Sequence, residues 1–218
     1  MRVDTRDDRT SAHRVDLELT PGKSDRFIKQ IEFILEIDKL KRILRKTILM
    51  DRSRQENSAE HSWHIALTVF ILSEYARGEN IDVCRVIKML LVHDLVEIDA
   101  GDTYCYDEKG RENQHQREQN AADRIFGILP DDQAADSRAL WDEFERRETT
   151  ESKLANALDR FQPFLHNYFT EGQTWQENDI KSSQVKARMQ PVNEGAPKLW
   201  KYVCTLIEDA VEKGYLQK

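Results

Sequence analysis

Side chains able to bind a metal ion follow directly after the most apolar stretch of the sequence. His93, Asp94 and Glu97 come after residues 86–92, which are apolar at nearly every position. Side chains three or four residues apart on a helix lie on the same side, so these three groups can converge on one point. Burying them beside a core is costly unless they are paired or bound to a metal. A divalent cation is the simplest compensation.

Two other segments supply the same kinds of donor. His61 and His64 are three residues apart near the start of a helical pattern, and Asp159 interrupts the apolar pattern of a later helix. Together with the His93-Asp94 pair they predict a mixed nitrogen and oxygen site. Such ligands suit Mn²⁺, Fe²⁺, Co²⁺, Ni²⁺, Mg²⁺ or Zn²⁺ and do not choose among them. Four protein ligands on an octahedral ion leave two positions for water and a substrate oxygen.

The scarcity of chain-breaking residues indicates that helices position these side chains. The 218 residues include 8 glycines and 5 prolines, which argues against turn-rich β-sandwiches and against folds built on glycine loops. Charged residues make up 33% of the chain, as expected when each helix keeps one face in water. We therefore predict an all-α, single-domain protein over residues 24–218, preceded by a disordered polar tail over residues 1–23.

Hydrophobic periodicity and capping residues place the candidate ligands on separate helices. The first three predicted helices run from Ser24 to about Leu44, from about Ala59 to Arg77 after a cap at Asn57 or Ser58, and from an Asp82 cap to about Ile98. A polar helix ending at Pro130 follows a loop that reaches to about Arg111. Later helices are predicted to open at Asp131, at Thr149 or Thr150, near residue 183 and at Pro197.

The charge balance and the absence of targeting signals narrow the range of partners. The formal net charge of −7 gives no electrostatic footprint for duplex nucleic acid or anionic lipid. The sequence has neither the run of about 20 apolar residues that spans a membrane nor the apolar core of a secretory signal. Cys84, Cys105 and Cys204 show no CxxC spacing and fit a reducing compartment. These features predict a cytoplasmic protein.

The order His61, His93-Asp94, Asp159 resembles the HD-domain metal-dependent phosphohydrolase superfamily. Two local strings are more specific: residues 56–62 read ENSAEHS, and residues 93–97 read HDLVE, shortly before Gly101-Asp102. They resemble the bacterial 5′-deoxynucleotidase branch, whose members hydrolyse deoxynucleoside 5′-monophosphates. The likeness covers about residues 30–215 and implies an HD-domain helical bundle.

The resemblance implies a role for each matching residue. One divalent ion would be held by four side chains, those of His61, His93, Asp94 and Asp159. Glu97 would act with a metal-bound water in the attack on phosphorus, and Asp102 would contact the nucleoside. His64 is interpreted as a histidine that packs beside the ligands and faces the site.

The sequence departs from that branch at one pair of positions. The branch carries Arg-Trp fifteen and fourteen residues before its first motif histidine, where this chain has Lys46 and Thr47. Lys46 keeps a positive charge for a phosphate but lacks the bidentate fork of arginine. Thr47 cannot provide an aromatic wall, so selectivity for 2′-deoxy substrates is not implied. Arg45, Arg52 and Arg54 are further candidates for phosphate contact.

The leading hypothesis is a phosphomonoesterase that releases phosphate from (deoxy)nucleoside 5′-monophosphates through metal-activated water. One alternative is a hydrolase of another phosphorylated small molecule. Another is a non-catalytic, nucleotide-binding regulatory HD protein in which the metal is structural. Relatives of this kind are often dimers, and the first and last helices are the predicted homodimer face.

Overall fold

Helices dominate the computed structural model, which describes residues 25–218. The predicted tail over residues 1–23 and the predicted Ser24 cap lie outside the described residues. The helices in chain order are α1 (Asp25–Ile37), α2 (Ser58–Leu72), α3 (Val83–Val92), α4 (Glu97–Ala100), α5 (Glu108–Arg111), α6 (Gln114–Phe126), α7 (Asp131–Arg146), α8 (Thr150–Phe169), α9 (Gln173–Glu177), α10 (Ser182–Arg188), α11 (Gln190–Gly195) and α12 (Pro197–Glu212). The all-α prediction is confirmed, with one short β-hairpin added to it.

That hairpin corrects the prediction of a first helix reaching Leu44. Helix α1 ends at Ile37, a 3₁₀ turn covers Asp38–Arg42, and the chain then forms strand β1 (Leu44–Ile48). This strand pairs antiparallel with β2 (Gln55–Asn57). Short apolar runs fit both the helical and the strand period, so pairing with β2 decides the outcome here. The prediction was wrong because the partner strand is itself polar and carries no strand signal.

Helix α2 begins with a reciprocal cap. The Asn57 side chain accepts a hydrogen bond from the backbone N–H of Glu60, whose carboxylate accepts one from the backbone N–H of Asn57. This arrangement directs the first turn of α2 toward the interior, with His61 fully buried. The helix ends at Leu72, earlier than the predicted Arg77, and a 3₁₀ turn (Ser73–Tyr75) follows.

The third predicted helix is interrupted at His93, the first candidate ligand in this segment. Asp82 caps α3 by accepting from the backbone N–H of Arg85, as predicted, but α3 ends at Val92. Residues His93–Val96 form a 3₁₀ turn before α4 starts at Glu97. A 3₁₀ turn has about 3.0 residues per turn instead of 3.6. The side chains of residues 93–97 therefore do not point in the directions that one continuous helix would give them.

The main apolar core lies between α2, α3, α8, α11 and α12. Helix α11 packs closely on α8 because Gly195 has no side chain. A Cβ at this position would lie 2.2 Å from the carbonyl oxygen of Lys153. A second, smaller core joins the 3₁₀ turns at Asp38–Arg42 and His93–Val96 to α6 and α7. Within residues 25–218, no helix combines the length and apolar character that crossing a bilayer requires.

Candidate metal centre and its cavity

The structure brings the four predicted ligand side chains together from three segments. His61 comes from α2, His93 and Asp94 from the 3₁₀ turn, and Asp159 from α8. Oδ1 of Asp159 lies 3.1 Å from Nε2 of His61 and 3.6 Å from Nε2 of His93. The donor atoms of His61, His93 and Asp94 all lie within 4.8 Å of one another. Their role as ligands stays a prediction, and their convergence is a property of the fold.

The hydrogen bonding of His93 is compatible with a bound cation. Nδ1 of His93 donates a hydrogen bond to the carbonyl oxygen of Leu90 at 2.9 Å, which leaves a lone pair on Nε2 of the neutral ring. That Nε2 is buried and has no hydrogen-bond partner, although Oδ1 of Asp94 is 3.0 Å away. At this distance the pair needs positive charge between its atoms, supplied either by a proton on Nε2 or by a divalent ion bound to both.

The pKa shifts of the clustered side chains also favour a bound cation. Burial lowers the pKa of His93, but the carboxylates of Asp94 and Asp159 outweigh it and raise that pKa well above its ordinary value. Burial and the charge of Arg45 lower the pKa of His61, which keeps its ring neutral. Burial raises the pKa of Asp159, but its close contacts with the rings of His61 and His93 outweigh burial and leave that pKa well below its ordinary value. The surplus of negative charge favours a cation at this point.

Glu97 and Asp102 form a buried carboxyl pair beside the cluster. Ser58, the first residue of α2, donates a hydrogen bond to Oε2 of Glu97 at 2.6 Å. Burial and the charge of Asp94 raise the pKa of Glu97 well above its ordinary value. Burial also raises the pKa of Asp102, which is hydrogen-bonded to Glu97 and to the backbone N–H of Lys46. Because the two carboxyls are in contact, the ionisation of one raises the pKa of the other.

Strand alternation places Arg45 inside and Lys46 outside. Nη1 of Arg45 donates to Oδ2 of Asp94 at 3.0 Å, and its guanidinium also lies within 3.7–3.8 Å of Glu56 and Asp102. Because Arg45 forms ion pairs with these three carboxylates, its charge is balanced within the protein. Lys46 is exposed at the rim of the cavity, so its predicted phosphate contact stays a prediction.

A cavity of about 730 Å³ opens onto the candidate metal centre. Its volume is typical of small-molecule sites. The wall includes Tyr104 and Tyr106, whose rings pack edge to face with centroids 5.4 Å apart, and Trp175 at the base. Arg160 and Arg188 also line it. The cavity therefore offers aromatic surface and positive charge beside the cluster.

Arg160 differs from Arg45 in its acceptors: Arg45 donates to the carboxylate of Asp94, whereas Arg160 donates only to Asn156, although the Nε of both arginines lacks a partner. Nη1 of Arg160 donates to the backbone and side-chain oxygens of Asn156 at 3.0 and 2.8 Å, and Oδ2 of Asp159 lies 3.6 Å away. Burial and the charges of Arg188 and Arg147 lower the pKa of Arg160 to about 10. An anion placed among these guanidinium groups would relieve their repulsion.

A second group of histidines and a carboxylate lies behind His61. Its members are Glu56, His64 and His166, whose donor atoms also lie within 4.8 Å of one another. His64 is half-buried beside His166, with ring centroids 5.8 Å apart. The packing role expected for His64 stays a prediction.

Sequence reasoning did not identify Glu56, Gln162 or Arg160 as functional candidates. Gln162 follows Asp159 by three residues on α8, so helical spacing could have placed it beside the same site. Arg160 follows the candidate ligand directly, yet charged residues on a helix are most often solvated. Glu56 lies on a three-residue strand whose sequence is polar throughout, and it gave no signal of being buried.

Comparison with known proteins identifies the family. The family model described as "HD domain" matches residues 37–200, about three quarters of the chain. The chain therefore belongs to the HD domain family. The predicted helical bundle with a divalent-metal cofactor is confirmed at the level of the family, and the identity of the ion is not specified.

Relatives and a solved structure make the class more specific. A crystal structure from Magnetospirillum magnetotacticum MS-1, named "predicted metal-dependent phosphohydrolase", is 49% identical, with a TM-score of 0.87 over 91% of this chain and 99% of that one. "5′-deoxynucleotidase HDDC2" of Dictyostelium discoideum is 34% identical over 58% of this chain and 69% of its own length. The protein of the same name from Bos taurus is 26% identical over 62% of this chain. The chain spans less than two thirds of the Bos taurus relative, 64% of its length. The predicted resemblance to HD-domain metal-dependent phosphohydrolases is confirmed.

Proposed function

We propose that this protein is a phosphomonoesterase that hydrolyses nucleoside 5′-monophosphates, ribo or deoxy. The observation that supports it most is the convergence of two imidazoles and two carboxylates at one side of a cavity of about 730 Å³. The Glu97–Asp102 pair lies next to them. The relatives named 5′-deoxynucleotidase match about three fifths of the chain and support the substrate class.

His61, His93, Asp94 and Asp159 would hold the ion. When bound, a divalent ion lowers the pKa of a water molecule to about 7 and neutralises charge on phosphoryl oxygens. In the ion-bound state the two imidazoles would be neutral nitrogen donors, and the two aspartates would supply negative charge. Arg45 holds Asp94 in place from the side of the hairpin.

Glu97 accepts the proton of the attacking water. Burial and neighbouring carboxylates raise its pKa, which makes it a stronger base than an exposed glutamate. The Ser58 hydroxyl donates to Oε2 of Glu97 and so orients the carboxylate. The water oxygen forms a bond to phosphorus as the bond between phosphorus and O5′ breaks. The same proton is then available to O5′, so water and the monoester yield a nucleoside and inorganic phosphate.

Arg160 and the segment after Gly101 would hold the substrate. Arg160 lines the cavity beside Asp159 and donates to no carboxylate, so its guanidinium can contact the phosphate once the ester is bound. Asp102 is retained as the predicted nucleoside contact. Tyr104 and Tyr106 supply the aromatic surface that Thr47 lacks, and the buried hydroxyl of Tyr104 has no partner of its own.

Phosphate release from a panel of deoxy and ribo nucleoside 5′-monophosphates tests this proposal. Chelator-treated protein should be inactive and regain turnover with one of Mn²⁺, Co²⁺, Ni²⁺, Fe²⁺, Mg²⁺ or Zn²⁺. The Glu97→Gln variant should lose about 10²–10⁴-fold in turnover while keeping its metal. Glu74→Gln, an exposed glutamate after α2, is the matched control and should keep full activity. Metal-loaded protein that binds nucleotide without turnover would favour the regulatory alternative, and release only from other phosphorylated compounds would replace the substrate class.

We also propose a homodimer formed through the outer face of α2. Trp63, Leu67, Phe70 and Ile71 follow helical spacing, and each is 46–67% exposed. A two-fold axis across this stripe would let the same residues cover one another. The earlier prediction placed the dimer face on the first and last helices instead. Light scattering after size exclusion should give twice the chain mass, and Phe70→Lys should give monomers. Dissociation caused by Tyr202→Lys on α12 alone would favour the last helix.

The state of the cysteines supports the proposal of a reducing compartment. Cys84, Cys105 and Cys204 are all free thiols in the structure. We propose the cytoplasm as the site of action. Cell fractionation with an antibody against the chain should recover it with cytoplasmic markers, and recovery with secreted proteins would contradict this.

A further inference from the structure

The carboxamide of Gln162 lies between His61 and the second group of Glu56, His64 and His166. Its oxygen is 2.9 Å from Nδ1 of His61. Its nitrogen is 2.6 Å from Oε1 of Glu56, 2.9 Å from Nε2 of His166 and 3.2 Å from Nδ1 of His64. Gln162 and Glu56 are almost completely buried. One amide therefore contacts a candidate metal ligand on one side and three potential ligands on the other.

The surroundings allow one orientation of this amide. Nδ1 of His166 donates to the carbonyl oxygen of Ile48 at 3.0 Å, so Nε2 of the neutral ring can only accept. The carboxylate of Glu56 also accepts. A flipped amide would place its oxygen against both acceptors, which costs the two hydrogen bonds and adds repulsion. The nitrogen of Gln162 therefore faces Glu56 and His166, and the oxygen faces His61.

This orientation has a consequence for His61. An amide oxygen can only accept, so Nδ1 of His61 carries the hydrogen that Gln162 receives. Nε2 then keeps its lone pair and points toward Asp159 and Asp94, at 3.1 and 3.9 Å. Without the amide oxygen the opposite tautomer becomes favourable, because Nε2–H could donate to Asp159. In that tautomer His61 cannot bind an ion.

We infer that Gln162 is a positioning residue that holds His61 in its metal-binding tautomer, and that its amide nitrogen occupies the centre of the Glu56–His64–His166 group. The second group therefore takes no ion, although its residue types suit one. The inference rests on the proposed metal ligands and does not depend on which substrate is hydrolysed.

The first experiment needs no substitution. In metal-free wild-type protein, long-range ¹H–¹⁵N spectra of the histidine rings report which nitrogen of His61 carries hydrogen. We expect Nδ1–H. Calorimetric titration with Mn²⁺ or Zn²⁺ should give one ion per chain. Nε2–H on His61 in the wild type, or a second ion lost on His166→Ala, would overturn the inference.

Substitution of Gln162 tests the causal link. Gln162→Met keeps the length of the side chain and removes both hydrogen-bonding groups. We expect His61 to shift toward Nε2–H and metal affinity to fall about 10–100-fold, the usual effect of losing a group that orients a metal ligand. Gln116→Met on the exposed side of α6 is the control and should change neither quantity. An unchanged tautomer together with an affinity within threefold of wild type would contradict the inference.

A second variant separates orientation from loss of packing. Glu56→Gln keeps the shape of the acceptor on the nitrogen side of Gln162 but offers an amide in place of a carboxylate. The preference for one amide orientation should weaken, and both His61 tautomers should appear with a smaller loss of metal affinity. This variant also serves if Gln162→Met does not fold. Because none of these measurements uses turnover, a failure of the proposed nucleotidase activity leaves them interpretable.

Discussion

Two groups of histidines and carboxylates lie on opposite edges of the His61 ring. One is formed by His61, His93, Asp94 and Asp159, and the other by Glu56, His64 and His166. Both have the residue types and the spacing of a metal site. They differ in what lies among the donor atoms. The Gln162 amide nitrogen supplies hydrogen to Oε1 of Glu56 and Nε2 of His166 in the second group, where Oε2 of Glu56 is unpaired, whereas Nε2 of His93 in the first group receives none.

This difference shows that ligand-type residues at ligand spacing do not by themselves make a metal site. Acceptors that already receive hydrogen from a neutral donor have little to gain from an ion. Acceptors that face only each other need one. The first group also opens to the cavity, so a substrate can reach it.

The largest expected difference is between two single variants, each of which removes one histidine from one group. His61→Ala should abolish metal binding and reduce turnover more than about 10³-fold, because an open-sided site loses both a ligand and its geometry. His64→Ala should keep one ion per chain and most of the activity. Elemental analysis of the purified variants, together with phosphate release, checks both. Equal metal loss in the two variants would remove the distinction between the groups.

An intermediate effect is expected at the arginine that faces the open side. Arg160→Gln should lower kcat/KM about 10–100-fold with the metal content unchanged, because a charged hydrogen bond to phosphate is lost. Arg45→Gln should instead lower both metal content and thermal stability, since Arg45 balances Asp94 and Glu56. Steady-state kinetics combined with elemental analysis distinguishes the two. Loss of metal in Arg160→Gln would show that this residue supports the ligands and not the phosphate.

The smallest effect is expected outside both groups, at Glu143. Its burial is outweighed by hydrogen bonds from Arg85 and Thr149, so its pKa lies below the ordinary value. A carboxyl group with a lowered pKa stabilises the fold above its unfolded pKa of about 4.3, and this stabilisation is lost as the pH falls through the folded value. Glu143→Gln should cost about 1 kcal/mol at pH 7 and less near pH 3. Urea unfolding at several pH values measures this, and a constant difference across that range would contradict it.

Helix α3 and the 3₁₀ turn after it show which features could be predicted from neighbouring residues in the sequence. Apolar residues 86–92 and the Asp82 cap were sufficient to predict α3 and its burial, because both depend on neighbours along the chain. The 3₁₀ turn at His93–Val96 was not predicted, because its dihedral angles depend on packing against α6 and α7. The same limit applied to Leu44, which fitted the helical period but pairs with Asn57 of β2 as the first residue of β1.

The sequence by itself determined the residue types of the site, the helical class and the family, because motif spacing and hydrophobic period are properties of the linear chain. His61, His93, Asp94 and Asp159 could be named before any coordinates were known. Only the tertiary structure decided that Arg45 and not Lys46 faces inward, that Gln162 contacts His61, and that two similar groups differ in their hydrogen bonding. Those outcomes depend on which atoms meet across segments about one hundred residues apart, as His61 and Gln162 do. Local patterns carry no information about the direction of such contacts.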